Sequence, residues 1–74
     1  MTMTAADIQQ CIEQKLPNSV ATVTGDDGVH FEALVICPAF AGKNMLTQHR
    51  MVYEALGDKM REAIHALSLQ TRAE

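Results

Sequence analysis

Two short runs of alternating and β-branched residues, Ser19 to Thr24 and Val29 to Ile36, lie on either side of Gly25-Asp26-Asp27-Gly28. Gly and Asp supply the backbone angles that a chain reversal needs, so the two runs predict a β-hairpin. Side chains alternate across a strand. This puts Phe31, Ala33 and Val35 on one face and His30, Glu32, Leu34 and Ile36 on the other. The first set is the better candidate to pack under helices, because the second carries a carboxylate. A hairpin alone is at best marginally stable in water, so the rest of the chain must cover that apolar face.

That cover is limited by length. The chain has 74 residues, and a domain of this size buries only roughly 60% of the surface its unfolded chain exposes. A single domain, residues 1–74, is expected, with no room for both a core and a deep substrate cavity. A hydrophobic fraction of 47% supports a folded domain. Trp is absent, and Phe31, Phe40 and Tyr53 are the only aromatic residues, so the core is aliphatic, with five Met available to fill gaps.

The flanks read as helices. Thr4 can cap a helix start, with Asp7 three residues on, and Ile8, Cys11, Ile12 and Leu16 then share one helical face. Pro17-Asn18 ends that helix. After Pro38 stops the second strand, Ala39 to Asn44 reads as a loop with Phe40 as a lid on the core. A second helix runs from about Met45 or Thr47 to Leu56, with Met45, Leu46, His49, Val52, Tyr53 and Leu56 as its apolar side. Gly57 ends it, and Asp58 opens a short third helix that turns Met60, Ala63 and Ile64 inward. From His65 the period becomes two: His65, Leu67, Leu69 and Thr71 alternate with Ala66, Ser68 and Gln70, as in a third strand. The expected fold is α+β, in the order α-β-β-α-α-β, with helices on one face of a three-stranded sheet.

Composition also narrows function. The net charge is -3, whereas a free-standing nucleic-acid binder normally carries a basic excess. Cys11 and Cys37 have no metal-type spacing and do not make a disulfide scaffold, which points to free thiols in a reducing compartment. No secretory signal and no membrane-length apolar run is visible, so the cytoplasm is the expected location. Neither a Gly-x-Ser-x-Gly elbow nor a phosphate loop is present, and an enzyme is not expected.

Three histidines remain. His49 has a plain reading as a packing residue of its helix. His30 reads as an exposed strand-edge residue, and His65 as a hydrogen-bonded structural one. The functional alternative is that strand pairing brings His30 and His65 to one edge of the sheet, where two neutral imidazoles can ligate a transition metal. Two protein ligands leave a zinc or iron–sulfur shell incomplete, so such a metal needs a second protein to finish it.

Four segments then carry a resemblance. They are His30-Phe31-Glu32 after the turn, Phe40-Ala41-Gly42-Lys43, His49 to Leu56, and Ile64-His65-Ala66-Leu67. In this order and spacing the chain resembles the BolA family, in its short bacterial IbaG-like branch. The resemblance implies the α-β-β-α-α-β arrangement, similar to a type II KH fold. It implies pairing with a monothiol glutaredoxin and a shared [2Fe–2S] cluster, in iron–sulfur handling, iron homeostasis or stress response. His65 matches the family's cluster ligand, and His30 matches the second ligand. The glutaredoxin cysteine and a bound glutathione would complete the set. Alone, the protein is expected to be a monomer or homodimer. Some relatives are described as DNA-binding transcriptional regulators, which would use Lys43, His49 and Arg50 here. Against that, Gly42-Lys43-Asn44-Met45 lacks the second glycine of the KH clamp. Two departures from the family pattern stand out: Cys37-Pro38 adds a thiol near the loop, and Gln48 replaces a common arginine.

Overall fold

The computed structural model describes residues 4–25, 30–57 and 66–74. Helix α1 spans Ala5–Lys15, strand β1 Val20–Thr24, strand β2 His30–Ile36, helix α2 Met45–Leu56 and strand β3 Ala66–Arg72, with a 3-10 turn at Pro38–Phe40. The turn at Gly25–Gly28 is described only at Gly25, and the expected third helix after Asp58 lies outside the described residues.

The start of α1 follows from its cap. Thr4 Oγ1 accepts from the Asp7 N–H at 3.1 Å, and the Asp7 carboxylate accepts from the Thr4 N–H at 3.0 Å. This reciprocal capping box satisfies two donors that a bare helix end leaves open. The helix stops at Lys15, two residues ahead of Pro17, and Asn18 turns the chain with a φ of 63°. The chain reaches sheet geometry at Val20, one residue later than Ser19, whose N–H is held by the Leu16 carbonyl at 3.1 Å.

The sheet has the order β1-β2-β3. β1 and β2 pair antiparallel, with Val20 opposite Ile36 and Thr24 opposite Glu32. β2 and β3 pair parallel, with His30 opposite Ala66 and Ile36 opposite Arg72. Parallel pairing requires the chain to cross over between the strands, and α2 lies in that crossover. The expected alternation holds. Ala21, Val23, Phe31, Ala33 and Val35 are buried, while Leu67 and Leu69 are partly buried against the same core. Among the described residues, the helices pack on this face of the sheet.

Three expectations shift. The segment after β2 is not a plain loop, because Pro38 starts a 3-10 turn that drives Phe40 fully into the core. β3 runs from Ala66 to Arg72, one residue further at its C-terminal end than the sequence suggested, while the expected start at His65 lies outside the described residues. The largest change concerns α2. Met45 and Leu46 are 66% and 67% exposed and Tyr53 is 38% exposed, while Val52, Ala55 and Leu56 form the buried side. The reason lies in α1. The Cys11 thiol donates to the Ala55 carbonyl at 3.3 Å, and the small Ala55 side chain permits this close approach. The inward face of α2 is thereby turned toward Ala55, which the larger apolar residues at the helix start do not share. Gly57, with a φ of 61°, closes α2 by donating its N–H to the Tyr53 carbonyl.

Candidate metal-ligand site

The end of the sheet nearest the β1–β2 turn is built by one ladder. β2 begins at His30, whose side chain is exposed and whose partner across the parallel ladder is Ala66. Ala66 is bonded to His65. His65 itself lies outside the described residues. β2 is the central strand, so His30 stands at an end of the sheet rather than at its edge. Gly25 supports this end from the other side. A Cβ added there would lie 2.5 Å from Phe31 Cδ1 and 2.7 Å from the His30 carbonyl oxygen. Only glycine lets the chain pass that close to the start of β2.

Among the described residues no group of three or more His, Cys, Asp or Glu side chains is placed to hold a metal ion. The thiols do not extend the site. Cys37 is fully buried, and its Sγ donates to the Pro17 carbonyl at 3.7 Å. Cys11 is half-buried against Ala55. The extra thiol noted at Cys37 therefore belongs to the core.

The second candidate surface lies at the start of α2. Asn44 caps the helix by accepting from the Thr47 N–H at 2.8 Å. Lys43 and Arg50 are exposed, but His49 is half-buried and its Nε2 is enclosed without a hydrogen-bond partner. Of the three residues named for a nucleic-acid patch, two face solvent. The apolar Met45 and Leu46 are exposed beside them.

One structural residue at this surface had no functional signal in the sequence. Gln48 donates from Nε2 to the Lys43 carbonyl at 2.7 Å and to the Phe40 carbonyl at 3.4 Å, and its Oε1 accepts from the Thr71 hydroxyl at 2.6 Å. It ties the Phe40–Lys43 loop to β3. A planar amide with donor and acceptor ends suits this position.

The fold is thus a small α+β domain with a mixed three-stranded sheet and a histidine at the start of its central strand. Comparison with known proteins gives this class a family. The sequence model of the BolA-like protein family matches residues 8–74, and the chain belongs to that family. A bolA protein homologue from Coxiella burnetii superimposes with a TM-score of 0.85 at 52% identity, covering 95% of this chain and 90% of that one. Protein BOLA2 of Arabidopsis thaliana is 45% identical over 51 residues, 69% of this chain and 54% of its own length. The DNA-binding transcriptional regulator BolA of Escherichia coli K12 is 36% identical over 42 residues, 57% of this chain and 40% of its own length. The match to the SufE-like protein 1 of Arabidopsis thaliana covers 61% of this chain and 12% of that protein. The chain thus spans about half or less of these curated relatives. Among the described residues no helix is long and apolar enough to cross a membrane.

Proposed function

We propose that this BolA-like chain is a non-catalytic cytoplasmic adaptor that pairs with a monothiol glutaredoxin and co-ligates a [2Fe–2S] cluster. His65 and His30 would be its ligands, and iron–sulfur handling, iron homeostasis or stress response its setting. The observation that carries the reading is the register of β2 against β3, which sets His30 opposite the residue bonded to His65. Imidazole nitrogens are known iron–sulfur ligands, and two of them in place of two thiolates raise the potential of the centre. The remaining positions would fall to the partner's cysteine and to a glutathione thiol. When bound, such a cluster supplies one-electron chemistry and transferable iron and sulfide. This chain would contribute two neutral donors, one at the first residue of β2 and one from the residue bonded to the first residue of β3. The test is anaerobic reconstitution with a monothiol glutaredoxin, wild type against His65→Ala. Retention of cluster in the mixed complex by the wild type and its loss in the variant are expected.

A second reading has its own support. One relative is named a DNA-binding transcriptional regulator, and Lys43 and Arg50 are exposed at the start of α2. Phosphate contacts impose a steep dependence of affinity on salt. Duplex DNA binding that weakens steeply with salt, and is lost in Lys43→Ala/Arg50→Ala, would favour it.

A further inference from the structure

We infer that the outer edge of β3 is a strand-pairing surface for a second copy of this chain. This inference is independent of the cluster reading. The argument starts from one hydrogen bond. The Arg72 carbonyl accepts from the Cys37 N–H at 2.9 Å, so the backbone groups of Arg72 point toward β2. Along a strand the N–H and C=O of one residue point to one side and those of the next to the other. Ala66, Ser68, Gln70 and Arg72 therefore serve the β2 ladder, while Leu67, Leu69 and Thr71 direct theirs outward. These outward backbone groups have no partner among the described residues.

Folded proteins usually protect such an edge with charge, proline or a covering element. The other edge of this sheet has such protection: the Ala21 N–H of β1 donates to Glu13 of α1 at 2.9 Å. β3 reads Ala-Leu-Ser-Leu-Gln-Thr before its single charge at Arg72. It has neither proline nor a charged residue through its centre.

The sequence of β3 is complementary to itself. Antiparallel pairing about a twofold axis at Leu69 sets Leu69 against Leu69, Leu67 against Thr71, Ser68 against Gln70 and Ala66 against Arg72. Every outward donor then meets an outward acceptor, and no like charges face each other. Directly opposed residues share a face of the sheet. The half-buried Leu69 would therefore meet its counterpart and Leu67 the Thr71 of the second copy, continuing the core side across the axis. Such an interface is isologous and closes at two copies. A single seven-residue edge is smaller than a standard interface, so the association is weak and concentration-dependent.

Sedimentation of the purified protein over rising concentration tests this, with amide exchange at Leu67, Leu69 and Thr71 measured alongside. A monomer–dimer equilibrium is expected, with those amides slowing as the dimer forms. Ser68 and Gln70 are exposed, so S68K/Q70K would place lysines opposite each other and raise the dimer dissociation constant roughly tenfold. S68K/Q70E replaces that repulsion with opposite charges and restores dimerisation. A monomer at every concentration overturns the inference, as does a dimer that S68K/Q70K leaves unchanged.

Discussion

The Thr71 hydroxyl donates to Gln48 Oε1 at 2.6 Å, and this bond joins the first turns of α2 to the far end of β3. The Gln48 amide simultaneously holds the Lys43 carbonyl at 2.7 Å. One side chain thus keeps a helix, a loop and a strand in fixed relation. A residue that merely diluted the local positive charge would not do this.

Gln48→Ala removes these bonds and leaves the part-buried Thr71 hydroxyl without that partner. A net hydrogen bond contributes about 1 kcal/mol, so a loss of about 1–2 kcal/mol is expected in urea unfolding, together with faster amide exchange across Phe40 to Lys43. An unchanged unfolding midpoint would show that the network contributes nothing.

Gly25→Ala is expected to perturb the start of β2. The new Cβ would meet Phe31 Cδ1 at 2.5 Å and the His30 carbonyl at 2.7 Å, and a backbone oxygen yields less readily than a flexible side chain. Overpacking of this kind costs about 1–3 kcal/mol. The accompanying signature is a displacement of the His30 and Phe31 amide resonances in an NMR spectrum. Unmoved resonances and undiminished stability would contradict the close approach.

The two thiols should react differently. Cys37 is fully buried and engaged with Pro17, whereas Cys11 is half-buried. In native protein a thiol reagent is expected to modify Cys11 while Cys37 reacts only at the rate of global unfolding. Rapid native labelling of Cys37 would place that thiol at the surface and reopen its candidacy as a ligand.

Much of the fold could be read from local patterns. Alternation named Phe31, Ala33 and Val35 as the inward side of β2, and the Thr4 and Asp7 pair marked the start of α1. Each depends on near neighbours, which is why the sequence displays it. The inward side of α2 was less legible, because Met45, Leu46 and Tyr53 present as much apolar surface as Val52 and Leu56. What decides is the contact between Cys11 and Ala55, forty-four positions apart. Gln48 was opaque for the same reason, since its partners are set by tertiary placement. The register that matters for the site was also hidden. Period-two patterns mark strands, but they do not say that β3 runs parallel to β2 or that Ala66 meets His30.

The central claim is that His30 and His65 serve one cluster shared with a glutaredoxin, and the most direct measurement is the visible circular dichroism of the reconstituted mixed complex. His30→Ala, His65→Ala and the double variant are compared with wild type in the same preparation. If both imidazoles bind the same cluster, each single variant loses the wild-type spectrum and the double variant is no worse than the poorer single, because residues acting as a unit are not additive. A wild-type spectrum that persists in His65→Ala, with or without His30, would contradict the account.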